Sequence, residues 1–171
     1  MGRDMDLMKA AVCGVAIASL VGLDGAAAER GWDMFTEPEL GTSLEIPTGL
    51  FTRAAGPAKK GTGQQFETDD GRAGLIVYSI SNAERRETPA GFMNENYKAP
   101  AGAVDYKRVT GTFFAISAIH DDEIYYSRCN FSPSAGGAIH CFDLKYPKRE
   151  KRAWDPIVTR MSLSLRPLIK S

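Results

Sequence analysis

The second half of the chain holds four runs in which apolar residues recur at the spacing of β-strands, with many β-branched and aromatic side chains. The runs are residues 104–110, 112–119, 123–131 and 138–146. The separators between them have one to six residues, whereas two parallel strands need a crossover connection of a dozen or more. The pattern therefore predicts an antiparallel meander of four strands.

Strand patterns also occur in the first half of the chain. Residues 43–47 alternate polar and apolar side chains and end at a proline, which predicts a short strand. Residues 65–68 and 73–80 flank an Asp-Gly turn, which is typical of a β-hairpin. Residues 54–65 are rich in Gly, Ala and Lys, and their apolar residues follow neither the spacing of a helix nor that of a strand. They are therefore predicted to form an exposed loop.

Two segments have helical signals. Thr88 is a suitable N-cap and Pro89 a suitable first residue, which predicts a short helix over residues 89–97. Near the end of the chain, Asp155 as N-cap and Pro156 as first residue predict a helix of about ten residues. The apolar residues at helical spacing there are Trp154, Ile157, Val158, Met161 and Leu165. The whole pattern predicts an α+β fold: an antiparallel sheet of six or seven strands flanked by two short helices.

The first 28 residues have the layout of a secretory signal peptide. Arg3 and Lys9 precede an apolar run at residues 10–23, and a string of small residues ends at Ala28. The run has 14 residues, fewer than the roughly 20 that a membrane-spanning helix needs, so no membrane span is predicted. We expect cleavage after Ala28 and a single α+β domain over residues 29–171, with an uncleaved anchor as the alternative.

The charge of the chain limits its possible partners, and its cysteine content bears on the compartment in which it folds. The chain has 21 basic and 21 acidic residues, and cleavage leaves 19 basic and 18 acidic, so nucleic acid is not predicted as a partner. Cleavage also removes Cys13 and leaves a single pair, Cys129 and Cys141. An exported protein, periplasmic or secreted, meets an oxidising environment in which a disulfide persists.

The third and fourth strands of the meander can be placed in register by symmetry. A loop centred on Ala135 sets Cys129 opposite Cys141. The same register sets Asn130 opposite His140, Arg128 opposite Phe142, and Tyr126 opposite Leu144. Adjacent residues in a strand project to opposite faces, so His140 is directed away from Cys141. This predicts a disulfide between the cysteines, and neither a Cys-His nucleophile nor a metal site.

Candidate binding residues lie on the other face of that hairpin. Tyr126, Arg128 and His140 share it, and an arginine on an aromatic sheet face can hold a carboxylate or phosphate with two hydrogen bonds. The alternative is that Arg128 stacks on the rings or pairs with an acid, and both interpretations stay open. The serine-elbow, zinc-helix and phosphate-loop motifs are absent from the sequence, and no cofactor is predicted.

Three pieces of the chain carry a resemblance to known proteins. They are residues 41–47, the Asp70-Gly71 hairpin with residues 75–78, and Tyr146-Pro147 leading into the last helix. These pieces resemble small exported alphaproteobacterial proteins of unknown function, and their layout is similar to PsbP and Mog1-like domains. The resemblance implies an antiparallel sheet flanked by helices and a binding or accessory role, and it implies no catalytic residues.

These observations predict an exported binding or accessory protein without enzymatic activity. Its expected partner is an envelope protein or a small anionic ligand, and no oligomeric state is predicted. One alternative is a small periplasmic hydrolase in which His120 acts with Asp121 or Asp122. The other is a structural component of the envelope.

Overall fold

The computed structural model describes residues 31–133 and 137–168. The predicted signal peptide, Cys13 and the predicted hairpin centre at Ala135 lie outside the described residues. The strands are β1 (Asp33–Glu37), β2 (Thr42–Ile46), β3 (Arg53–Pro57), β4 (Thr62–Glu67), β5 (Gly74–Ser81), β6 (Val104–Val109), β7 (Phe113–His120), β8 (Glu123–Phe131), β9 (Ala138–Pro147) and β10 (Arg166–Pro167). The α-helices are α1 (Pro89–Asn96) and α2 (Lys151–Ser164).

Seven strands form one antiparallel sheet in the order β3-β4-β5-β9-β8-β7-β6. The predicted meander is confirmed, because β6, β7, β8 and β9 pair consecutively and antiparallel, each with the next along the chain. The predicted hairpin is confirmed as β4 and β5, which pair from Glu67 and Gly74 at the turn to Thr62 and Ser79 at the far end. The α+β class, the seven-stranded antiparallel sheet and the two helices are therefore all confirmed.

The predicted loop over residues 54–65 is wrong, because most of this segment forms β3 and the first four residues of β4. The edge strand β3 is largely exposed on both faces, and β4 is half-buried on both faces, so neither shows the alternation that marks a strand with one buried face. A bulge between Ala54 and Gly56 interrupts the pattern further. Neither strand therefore has the alternation of polar and apolar residues on which the prediction depended, in β3 because it lies at the edge of the sheet.

A second sheet of three strands packs beside the first in the order β1-β2-β10. The strand predicted at residues 43–47 is confirmed as β2, although it pairs with β1 and β10 rather than with the large sheet. Strand β10 has two residues, too few for any periodic pattern. The second sheet therefore has no signature in the sequence beyond β2.

Helix α1 begins where the sequence predicts, with the Gly91 N–H donating to Thr88 Oγ1 over 3.1 Å. The predicted start of the last helix at residue 156 is wrong. A 3₁₀ turn at Lys148–Glu150 leads directly into α2 at Lys151, which leaves Pro156 inside the helix. Trp154 in its first turn stacks on Tyr146, and this buried contact outweighs the preference of proline for a first helical position.

The large sheet buries an apolar core on each face. The core shared with α2 and the small sheet includes Leu44, Leu75, Phe142, Leu144, Trp154 and Met161. The core beneath α1 includes Tyr78, Phe92, Met93, Phe114, Cys129 and Cys141. Burying a side chain such as Phe114 or Phe142 completely contributes about 1.5–3 kcal/mol, so both faces hold the sheet in place. Within the described ranges, neither helix is long and apolar enough to cross a bilayer.

Candidate functional site

The hairpin of β8 and β9 has the register that symmetry predicts. Cys129 pairs with Cys141, Asn130 with His140, Arg128 with Phe142, and Tyr126 with Leu144. The two sulfur atoms are 2.00 Å apart, at disulfide-bond distance, and both cysteines are fully buried. They belong to the core beneath α1, while His140 points to the opposite face of the sheet.

His140 is only 1% exposed, and the structure does not bring it to the surface that Tyr126 and Arg128 line. Its Nδ1 lies 2.7 Å from Thr42 Oγ1 on the small sheet, and its Nε2 lies 3.0 Å from Ser132 Oγ. Thr42 Oγ1 is also bonded to Ser79 Oγ, which donates to Glu37 Oε2 over 3.0 Å. A buried hydrogen-bonded chain thus runs from Ser132 through His140 to Glu37.

The carboxylate at the end of this chain sets the direction of every bond in it. Burial opposes ionisation of Glu37, but the backbone N–H groups of Glu39 and Leu40 and the Ser79 hydroxyl outweigh it and hold its pKa below the ordinary value. An ionised carboxylate only accepts, and each hydroxyl has one proton to donate. Ser79 donates to Glu37, Thr42 donates to Ser79, and the Nδ1–H of His140 therefore donates to Thr42.

His140 consequently has its proton on Nδ1, and Ser132 Oγ–H donates to Nε2. Burial lowers the pKa of the imidazole, and the nearby Glu37 offsets this in part. A serine, histidine and acid triad has the histidine bonded directly to the acid, whereas Thr42 and Ser79 separate His140 from Glu37 here. The cavities on the two faces of the large sheet are lined by other residues, so we assign this hydrogen-bonded chain a structural role at the contact between the two sheets.

The first groove lies between α2 and the face of β6, β7 and β8, with a cavity of about 620 Å³. Tyr126 and Arg128 line it, as do Arg108 from β6 and Ser162 from α2. We call it the arginine groove. The Tyr126 ring stacks on Phe142, and its hydroxyl is 2.8 Å from Ser162 Oγ. Burial raises the pKa of Tyr126, so its hydroxyl keeps its proton at neutral pH.

Two arginines, Arg108 and Arg128, line the arginine groove on its sheet side. Arg108 and Arg128 both pair across the backbone with Ala115, one from each side. Their guanidinium carbons lie 5.5 and 4.3 Å from the centroid of the Phe113 ring, in cation-π contact. Arg128 Nε also donates to Asn130 Oδ1 over 3.0 Å, which fixes the direction of its side chain.

Arg128 is in cation-π contact with Phe113 rather than with Tyr126 or Phe142, and it also lines a cavity, so its predicted role in ligand binding stays a prediction. It does not pair with an acid: within residues 31–133 and 137–168, neither Arg108 nor Arg128 forms an ion pair. Sequence reasoning missed Arg108. Its strand is exposed throughout, so no alternation showed which of its residues faces α2.

The second groove lies on the opposite face, beyond the C-terminal end of α1. It consists of two adjoining cavities of about 420 and 430 Å³, which share Tyr97, Tyr125 and Ser127. We call it the tyrosine groove. Asp143 lies in its floor, and an acidic residue within the apolar run of β9 was the available signal for it.

His120, the centre of the hydrolase alternative, lies at the rim of the tyrosine groove. Its Nε2 is 3.2 Å from Asp121 Oδ2, and both side chains are mostly exposed. Asp121 and Asp122 take left-handed backbone conformations in the turn between β7 and β8. Within the described part of the chain, no hydroxyl or thiol is hydrogen-bonded to His120, and no three His, Cys, Asp or Glu side chains converge as a metal site.

Comparison with known proteins defines the fold class. No protein-family model matches the sequence, and no curated protein matches it significantly. The structure is similar to the solution structure of cyanobacterial PsbP (CyanoP) from Synechocystis sp. PCC 6803, with a TM-score of 0.55. The match covers 90% of this chain and 98% of that chain at 13% sequence identity. At this identity it shows the fold alone, and the PsbP-like layout inferred from the sequence is confirmed at that level.

Proposed function

We propose that this protein is an exported accessory protein that binds a carboxylate or phosphate group in the arginine groove. The observation that carries the proposal is the pair Arg108 and Arg128, which lie two strands apart in register, line one cavity and have no ion-pair partner among the described residues. The ligand is expected to be anionic, and no chemical step is assigned to the site.

The electrostatics of the arginine groove favour an anion. Both guanidinium carbons lie near one phenylalanine ring, so they are within about 10 Å of each other and repel. An anion between them offsets this repulsion, and each planar guanidinium can offer two parallel N–H donors to one carboxylate or phosphate.

Uncharged donors surround the arginines. The hydroxyls of Ser117, Tyr126 and Ser162 line the same groove, and they can hydrogen-bond the remaining oxygen atoms of an anion. Asp105 and the ion-paired Lys151 and Asp155 lie at the same cavity. Asp105 reduces the positive potential there, so we expect a small anion at the two arginines rather than a long polyanion along the groove.

Export and an accessory role rest on separate support. Residues 1–28 have the pattern of a signal peptide, and Cys129 and Cys141 lie at disulfide-bond distance, as suits a periplasmic or secreted protein. The accessory role is what the resemblance of the sequence to PsbP and Mog1-like domains implies, and the structure shares the fold of cyanobacterial PsbP. Residues 29–171 are proposed to act as one domain.

The test is a titration of the exported protein with inorganic phosphate and with citrate, followed by NMR shifts of backbone amides. We expect shifts concentrated at β6, β7 and β8, and affinity at least tenfold weaker in Arg108→Gln and Arg128→Gln. Arg128→Lys keeps the positive charge but loses the paired N–H donors of the guanidinium group, so it should weaken anion binding as well.

Arg152→Gln is the matched control, because it removes one exposed positive charge from α2 outside the lining of the groove. Its affinity for both anions should equal that of the wild type. Equal losses in Arg152→Gln and Arg128→Gln would show a general charge effect and overturn the proposal. Absence of binding at millimolar phosphate and citrate would overturn it too.

A further inference from the structure

The face of the large sheet beneath α1 is only partly covered by that helix. The Cys129 and Cys141 row lies under it, whereas the next two rows along the strands lie beyond its last residue, Asn96. Paired residues across five strands form the first of these rows: Gln65, Ile76, Asp143, Ser127 and Ile116. The second row is Glu67, Gly74, Lys145, Tyr125 and Ala118. These two rows form the floor of the tyrosine groove.

A glycine in the second row, Gly74 on β5, deepens this floor. A Cβ atom built at Gly74 would meet only one atom within 4 Å, the Phe66 carbonyl oxygen at 3.9 Å, so the space above it is open. Tyr97 at the end of α1 and Tyr125 on β8 line both cavities. The result is a depression of small-molecule size that combines aromatic walls with a few polar groups.

Asp143 is the end point of a hydrogen-bonded chain in this floor. Tyr97 Oη donates to Asp143 Oδ1 over 3.0 Å, and Tyr78 Oη lies 2.7 Å from Tyr97 Oη. Since the single proton of Tyr97 goes to the carboxylate, Tyr78 donates to Tyr97. The two tyrosines thus orient Asp143 but bring no charge to it.

The carboxylate forms no ion pair in the part of the chain that the structure describes. Lys145, two residues along the same strand, pairs with Glu123 over 3.1 Å. Lys60 donates to Asn96 Oδ1 over 3.3 Å. Burial raises the pKa of Asp143, and the hydrogen bonds from Ser127 and Tyr97, together with the positive charge of Lys60, only partly oppose this rise. An asparagine would accept the same tyrosine hydrogen bond without the cost of a buried charge.

We propose that the tyrosine groove is a second binding site, which takes a protonated amine on an apolar or aromatic body, with Asp143 as its counter-ion. The ammonium group would supply the charge partner that the carboxylate lacks. The rings of Tyr97 and Tyr125 favour both a cation, through their π faces, and the apolar body that carries it. This site is independent of the anion proposed for the arginine groove, which lies on the other face.

The test uses 2-phenylethylamine and its neutral analogue 2-phenylethanol as probes, titrated into the exported protein and followed by NMR. The amine should shift the amides of Tyr97, Ser127 and Asp143 and bind at least tenfold more tightly than the alcohol. In Asp143→Asn, the affinity for the amine should fall to that for the alcohol. Asp105→Asn, which removes an acidic side chain from the arginine groove, should leave both affinities unchanged.

Tyr97→Phe provides a second variant should Asp143→Asn fail to fold, because it removes the hydroxyl that orients the carboxylate. This variant should bind 2-phenylethylamine severalfold more weakly than the wild type and bind 2-phenylethanol with unchanged affinity. Equal affinity of amine and alcohol in the wild type, or undiminished amine binding in Asp143→Asn, would overturn the proposal. So would the absence of amine binding at millimolar concentration. Saturating phosphate separates the two sites, because it should not change the amine affinity.

Discussion

His140 of the large sheet and Thr42 of the small sheet are joined by a buried hydrogen bond of 2.7 Å between Nδ1 and Oγ1. The bond lies within a chain that ends at the ionised Glu37, so it couples the docking of the two sheets to the protonation of one histidine. In a buried network every group must be bonded, and a charge added to its centre is costly.

Stability should therefore fall in mildly acidic solution. Burial lowers the pKa of His140 in the folded state, so the unfolded chain binds more protons below the ordinary histidine pKa of about 6.5. The contribution of neutral His140 is complete above about pH 6.5 and is lost as the pH falls from there toward the folded-state pKa. Urea unfolding between pH 7.5 and 5 measures this loss.

The chain has two histidines, and the other provides the control. His120→Gln should keep the same loss of stability, because His120 is exposed at the rim of the tyrosine groove. A titration of the His140 ring protons by NMR gives its pKa directly. A folded-state pKa at or above 6.5 would contradict the prediction.

Gly61 and Gly71 have nearly the same left-handed backbone, with φ of 61° and 67°, but different surroundings. A Cβ at Gly61 would lie 1.9 Å from the Ser79 carbonyl oxygen, whereas a Cβ at Gly71 would meet nothing within 4 Å. Gly71→Ala should cost about 1–2 kcal/mol for its conformation alone. Gly61→Ala should cost about 1–3 kcal/mol more, because β4 must shift from β5. Equal losses in chemical denaturation would refute the close approach.

The pair Cys129 and Cys141 should stabilise the fold through the 13-residue segment that it closes. A bridge over a loop of this size contributes about 3 kcal/mol in the chain-entropy model. Reductant should lower the free energy of unfolding of the wild type by about this amount and leave the Cys129→Ala/Cys141→Ala variant unchanged. Mass spectrometry of the denatured, unreduced protein should find neither thiol alkylated, and alkylation of both would exclude the bridge.

Pro156 should weaken the helix that contains it. It is the sixth residue of α2 and has no N–H to donate to the Arg152 carbonyl. Pro156→Ala should raise the free energy of unfolding by about 1–2 kcal/mol, after allowance for a more flexible unfolded chain. Pro89→Ala, at the first position of α1, should bring no gain. A Pro156→Ala variant less stable than the wild type would show that the proline is adapted to its site.

Asp143 should lower stability at neutral pH. Burial raises its pKa, so the folded state holds its proton more firmly than the unfolded state, and stability falls as the pH rises above about 3.8. Asp143→Asn keeps the acceptor for Tyr97 and should be about 1 kcal/mol more stable than the wild type at pH 7. The gain should disappear near pH 3, where both side chains are uncharged, and a gain independent of pH would point to another cause.

The sequence by itself determined the meander, the hairpin register and the opposed directions of Cys141 and His140. These features depend on the two-residue period of strands and on short turns, which act between close neighbours in the chain. Edge strand β3 and the start of α2 escaped this reasoning, because an edge strand shows no alternation and the packing of Trp154 overrode the signal of Pro156.

Only the tertiary structure decided which side chains meet. His140 bonds to Thr42, 98 residues away, because a second sheet docks on the first. Arg108 joins Arg128 because both strands pair with β7, and Tyr97 reaches Asp143 because α1 ends above β9. Strand order and the docking of the two sheets depend on how much apolar surface the whole chain buries. The local spacing of apolar residues does not contain this information.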